Sequence, residues 1–198
     1  VYKAGLVPVG LDQEPHLEVS REIARRMNQD YGTDFPEPKR FKTAGEYVPS
    51  LTGEGKMGKS IEGSFINLSD DLATIKAKLS KVPTDSGRGT MVDDSYIAEN
   101  GTKSGGVKTL LTLVGLFQGE AARIAYEEKY AGEGIRYGDL KTVLAQAIND
   151  DLAPLQEKRA YFEAHPKEVD EMIAAGGAKA KAVARETVME VREKMGLL

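Results

Sequence analysis

The chain has 198 residues, 40% hydrophobic and 29% charged, enough to bury a core in one domain or two small ones. It has no cysteine, which excludes disulfides, thiolate metal sites and a thiol nucleophile and leaves the cytoplasm as the default compartment. With a formal charge of −4, nucleic-acid contact has to come from a local basic patch, and no apolar run reaches the ~18–20 residues of a membrane span.

The start of the chain lacks a basic-then-apolar signal layout, and Val1 in place of an initiator Met points to a processed or trimmed polypeptide. Leu6, Val7 and Val9, ending at Gly10, read as a buried strand of a parallel sheet, although Pro8 counts against it. From His16 to Asn28, Leu17, Ser20, Ile23, Ala24 and Met27 fall at helical spacing. Between Thr33 and Phe65 the density of Pro and Gly predicts loops around one or two short strands. Ser69 and Asp70 are placed to cap a helix whose face is Leu72, Ile75, Leu79 and Val82, with Pro83 as its stop.

Thr84 to Gly106 is rich in Gly, Ser, Thr, Asp and Asn and reads as an ordered surface connection or a mobile loop. Helical patterns come next in Val107, Leu110, Leu111, Val114 and Phe117, then from Leu140 to Leu155, then from Ala180 to Leu198. Their short connections predict an antiparallel helical bundle.

Gly10, Leu11, Asp12 and Gln13 lie after the strand and before the helix, where open parallel sheets bind ligands and glycine lets backbone approach closely. Asp12 then suits a ribose diol and Gln13 a polar substrate end, while a bare strand-to-helix turn with Asp12 as helix cap fits the same residues. Lys56-Met57-Gly58-Lys59-Ser60 places two ammonium groups three residues apart on a glycine-rich loop, able to neutralise charge on a leaving pyrophosphate. A solvated lysine loop is the plain alternative. Gly53 to Ser60 also matches GxxxxGK[ST], but a P-loop needs a buried strand before it and a helix after it. Glu46, Pro49, Ser50 and Thr52 precede it, Gly63 would break a helix starting at its end, and Met91-Val92-Asp93 is the best candidate for its metal-holding strand.

VPVGLDQEPHLEVSREIARRMNQDYG strongly resembles a segment of bacterial tryptophanyl-tRNA synthetases, and KMGKS resembles the KMSKS signature of class I synthetases. FINLSDDLATIKAKL, TDSGRG and LAPLQEKRAYF are similar to further segments of that family in the same order, so the resemblance runs over nearly the whole chain. It implies an α/β plus all-α protein. Residues 1–68 would be the C-terminal part of a doubly wound, Rossmann-like nucleotide-binding domain, and 69–198 a helical connection and anticodon-binding-type, tRNA-binding bundle.

By the same resemblance Gly10, Leu11 and Asp12 would contact ATP, and Val9 and Gln13 the tryptophan substrate. Val48 would give adenine a backbone contact, with Met57 nearby, and Lys56, Gly58, Lys59 and Ser60 would complete the ATP-binding loop. Both lysines would act on phosphates that carry Mg2+. Gly58 departs from the family's usual serine, removing one hydroxyl and loosening the loop. The implied partners are L-tryptophan and tRNA(Trp), with a cytoplasmic homodimer for the complete enzyme.

The family also needs a His-x-Gly-His type motif, whereas this sequence has only His16, which reads as a helix-start residue, and His165, which reads as a loop residue. The carboxylate that recognises the indole NH is expected upstream of Val1. The 198-residue chain alone is therefore expected to be inactive. On the last helix Lys179, Lys181, Arg185, Arg192 and Lys194 are either a solvated face or a tRNA contact. Two rival classes stay open. A stand-alone helical RNA-binding or interaction module would bind tRNA without ATP, and a P-loop NTPase would lose hydrolysis in Lys59→Ala.

Overall fold

The computed structural model describes residues 1–42, 45, 47–89 and 105–198, and is mostly helical. The greater part of the connection expected from Thr84 to Gly106, with Met91, Val92 and Asp93, lies outside the described residues. The chain forms two compact units: Val1–Glu46 with Tyr161–Leu198, and Tyr47–Ala160.

In the first unit β1 (Leu6–Val7) pairs in parallel with β2 (Lys39–Arg40), in the register Leu6 to Lys39 and Val7 to Arg40. The Lys39 N–H donates to Gly5 O at 2.9 Å and the Phe41 N–H to Val7 O at 2.8 Å, extending the ladder by one bond at each end. A 3-10 turn (Leu11–Gln13) leads into α1 (Glu14–Tyr31), two residues earlier than the sequence places its helix. α1 buries Leu17 and Ala24 and ends at Gly32, whose φ of 64° is the left-handed cap geometry that glycine adopts without strain.

Arg21 fastens β2 to α1: its Nε donates to Pro38 O at 2.8 Å while its NH groups pair with Glu14 and Glu18 at 2.8 and 2.6 Å. The Asn28 side chain closes the turn after α1 by donating to Phe35 O and accepting from Thr33 Oγ1 and the Phe35 N–H. The last helix of the chain, α6 (Pro166–Lys194), runs through Gly176 and Gly177, so it starts well before the Ala180 expected from its apolar spacing. Its end is tied down by polar contacts, Glu190 to Lys3 at 2.8 Å and Lys194 Nζ to Gly32 O at 2.8 Å. Lys194 and Lys3 hold the Glu190 carboxyl down to about 2.

The second unit is built around α2 (Leu72–Ser80), α3 (Gly105–Gln118), α4 (Glu120–Ala131) and α5 (Tyr137–Ala164), the last crossing into the first unit. Ile75, Leu79, Val107, Leu110, Val114, Leu144 and Ile148 are buried in one cluster with Leu51. The cap of α2 corrects the sequence expectation. Asp71, not Ser69 or Asp70, accepts the Thr74 N–H at 2.8 Å. Asp70 is taken by the Lys78 ammonium at 2.5 Å and the Asn67 N–H at 2.8 Å. α4 has no counterpart in the helices expected from apolar spacing. Only its Tyr130 is buried, so no stripe announces it; it comes after Gly119, at φ 91°, and packs on α3. No helix among the described residues is long and apolar enough to cross a membrane.

Candidate functional site

In the first unit the structure places Gly10, Leu11, Asp12 and Gln13 on one turn between β1 and α1, with Leu11, Asp12 and Gln13 exposed and Val9 and Gly10 half-buried. Gly10 has φ −65° and ψ 165°, extended backbone that any residue adopts, so glycine contributes there only its missing Cβ. The Gln13 N–H donates to Gly10 O at 3.1 Å and the Gln13 carboxamide to Asp12 Oδ2 at 3.1 Å, joining the two polar side chains. Asp12 is not the helix cap. It lies inside the 3-10 turn, and the position before α1 is Gln13, which makes no capping side-chain bond.

In the second unit Val48 to Lys56 is a tight hairpin. Pro49 and Lys56 form an antiparallel bridge, the Met57 N–H donates to Val48 O at 2.9 Å, and the Ser50 N–H donates to Gly55 O at 2.9 Å. Val48 and Met57 are thus neighbours across the hairpin, both packed on the hydrophobic core. Lys56, Lys59 and Ser60 are exposed and Gly58 half-buried, so Met57 anchors the segment and the lysines flanking it reach solvent. Two exposed ammonium groups on a core-anchored turn match a polyphosphate in charge. Among the described residues no cluster of three or more His, Asp or Glu is arranged to hold a metal ion.

The hairpin's tip is packed backbone to backbone. A Cβ added at Gly105 would lie 1.9 Å from Gly53 O, and one at Gly106 would lie 1.9 Å from Pro83 O. Fully buried Thr109 donates to Ser50 O at 2.9 Å, fixing the hairpin to α3. Among the described residues the flanks of a P-loop are absent. Pro49 and Lys56 make only an isolated bridge, and the first helix after Ser60 is α2, starting at Leu72.

Residues outside the motifs also organise this unit. Gln156, in LAPLQEKR, donates to Leu68 O and Asp70 O at 2.9 and 3.0 Å, which joins α5 to the segment after the lysine loop. Asp85, in TDSGRG, accepts from the hydroxyls of Tyr130 and Tyr137 and from the Gly87 N–H. Partial burial opposes its ionisation, but these donors outweigh it and hold its pKa below the usual aspartate value. Burial first, and then Asp85, pushes the Tyr130 hydroxyl up to about 12. The resemblance marked both segments without marking these contacts.

His16 is exposed, and His165 stacks on Tyr161 with ring centroids 4.2 Å apart at the start of α6. On α6, Lys179, Lys181, Arg185 and Arg192 are exposed, and Lys194 is engaged with Glu190 and Gly32.

Residues 1–165 match the family of tRNA synthetases class I (W and Y). The chain belongs to this family. It is 36% identical to the tryptophan–tRNA ligase of Porphyromonas gingivalis over 99% of its own length and 58% of that protein's. It is 37% identical to the one from Caldanaerobacter subterraneus over 100% and 58%. The chain therefore spans a little over half the length of these relatives. Among solved structures, tryptophanyl-tRNA synthetase from Campylobacter jejuni, complexed with ADP and tryptophan, matches with a TM-score of 0.68 at 27% identity, covering 99% of this chain and 58% of that one. The Mycoplasma pneumoniae enzyme matches in fold with a TM-score of 0.75 at 24% identity, over 100% and 59%.

Proposed function

We propose that this chain is the C-terminal portion of a tryptophan–tRNA ligase, which activates tryptophan with ATP and attaches it to tRNA(Trp). The observation that carries the reading is identity above one third, along essentially the whole chain, to proteins of that name. The geometry supports it through the core-anchored hairpin that offers Lys56 and Lys59 to solvent. In this reading 1–68 belong to a doubly wound nucleotide-binding domain and 69–198 to the helical, tRNA-binding part. The exposure of Val1, Tyr2, Leu6, Leu11 and Ile23 around a two-stranded parallel sheet fits a unit that belongs to a larger sheet.

In the first step a carboxylate oxygen of tryptophan attacks the α-phosphorus of ATP and pyrophosphate leaves. Lys56 and Lys59 bind the phosphates and gain strength as charge builds on the leaving group. Gly10, Leu11, Asp12, Val48, Met57, Gly58 and Ser60 hold the nucleotide, and Val9 and Gln13 face the amino acid. Magnesium enters on the ATP phosphates, since Asp12 is the single carboxylate among the residues proposed for this site. The complete enzyme is read as a cytoplasmic homodimer, and the basic residues of α6 as a candidate tRNA contact.

In the complete enzyme, Lys56→Ala and Lys59→Ala should lower the rate of tryptophan activation far more than they weaken tryptophan binding. Asp12→Ala should chiefly raise the Michaelis constant for ATP. Pre-steady-state adenylate formation is the measurement, and an unchanged rate in both lysine variants would sink the assignment.

A further inference from the structure

Gly58 is the middle residue of KMGKS, and neither its own backbone conformation nor the space around its Cα fixes it. Its φ is not positive, and a Cβ built there would meet nothing nearer than Ser60 Oγ at 3.9 Å. Beyond the turn bond from the Ile61 N–H to Gly58 O at 3.3 Å, what holds it comes from Ser64, six residues on and fully buried. The Ser64 hydroxyl donates to Gly58 O at 2.6 Å and faces the Gly58 N–H at 3.4 Å. The Ser64 N–H donates to Ile61 O at 3.2 Å, and its carbonyl accepts the Leu51 N–H at 2.9 Å. Leu51 is 3% exposed within the hydrophobic core. A line of contacts thus runs from the core through Leu51 and Ser64 to the peptide groups of Gly58. A buried hydroxyl whose partner is one loop peptide restrains that peptide.

We propose that Ser64 is a positioning residue for the lysine loop: its hydroxyl fixes the Gly58 peptide and so sets how Lys56 and Lys59 face a polyphosphate. The proposal rests on the reading of those lysines as phosphate ligands. A glycine between two ligands has the widest conformational range to lose on binding, and an outside clamp removes part of that loss beforehand.

The test uses the isotope-labelled 198-residue chain titrated with inorganic pyrophosphate, reading the amide resonances of residues 57–60. Compared with the unsubstituted chain are Ser64→Ala, the double variant Lys56→Ala/Lys59→Ala, and Ile148→Val, which trims the buried core on α5. The clamp predicts that Ser64→Ala weakens pyrophosphate binding at least ~5-fold through lost preorganisation, with ligand-free shifts centred on Gly58 and Lys59. Ile148→Val, a comparable loss of core packing, should stay within ~2-fold. Unaltered affinity in Ser64→Ala, with affinity lost in the lysine double variant, would overturn the clamp alone. Binding as tight in the lysine double variant as in the unsubstituted chain, or no response at residues 57–60, would overturn the phosphate reading and the clamp with it.

Discussion

Asp85 carries more of the second unit than its exposed position indicates. Its carboxylate gathers the hydroxyls of Tyr130 on α4 and Tyr137 at the start of α5, and its own turn closes on the Gly87 N–H. Tyr130 is buried, so removing its hydroxyl leaves Asp85 one donor short without opening a large cavity. We expect Tyr130→Phe to cost about 1 kcal/mol near neutral pH, a charge-assisted bond discounted for the solvent around Asp85. The raised pKa of the phenol gives the sign with pH. The contribution is present below the unfolded tyrosine pKa of ~10 and lost as pH rises through the folded value of about 12. Urea unfolding of both proteins from about pH 8 to about pH 12 checks it: the gap should close across that window, and a constant gap would contradict the assignment.

At the scale of elements, the close contacts separate glycines that are required from one that is not. Gly105→Ala or Gly106→Ala would drive a Cβ to 1.9 Å from a neighbouring carbonyl oxygen, backbone that cannot swing aside. Each should lower stability by ~2 kcal/mol or more, or prevent folding. Gly58→Ser has open space and should shift the unfolding midpoint little. Equal effects at Gly58 and Gly105 in thermal melts would contradict the backbone-on-backbone account of the hairpin. Asp71→Ala should cost about 1 kcal/mol through the lost cap on α2, whereas Ser69→Ala should cost almost nothing.

The same elements show what sequence makes legible. α1, α2 and α3 emerge from apolar spacing because each buries one stripe. α4 does not, because a helix with one buried residue carries almost no stripe, and the start of α6 is hidden because Gly176 and Gly177 read as a break. The cap of α2 is displaced by one residue from its expected place because Asp70 and Asp71 are both eligible, and only Lys78 and Asn67 decide between them. KMGKS is legible as a motif, while Ser64, which holds its Gly58 peptide, and Thr109, which holds the hairpin before it at Ser50 O, leave no sequence signal. Their role depends on which loop peptide each faces in the fold.

At the scale of the molecule, family membership and a site inventory pull in different directions. The chain belongs to the class I tRNA synthetases, yet it spans 58% of relatives' length, and its two histidines cannot form a His-x-Gly-His motif. On the proposed reading it contributes the lysine loop and one edge of the nucleotide site. Those groups alone leave ATP and tryptophan unaligned, and alignment accounts for much of the barrier reduction in such transfers. The most direct measurement is tryptophan-dependent exchange of pyrophosphate with ATP. It should be run on the purified 198-residue chain, and again after adding a polypeptide equivalent to the part of the relatives outside the match. The account predicts no useful exchange by the chain alone and exchange, sensitive to Lys56→Ala and Lys59→Ala, after mixing. Robust exchange by the chain alone would contradict it.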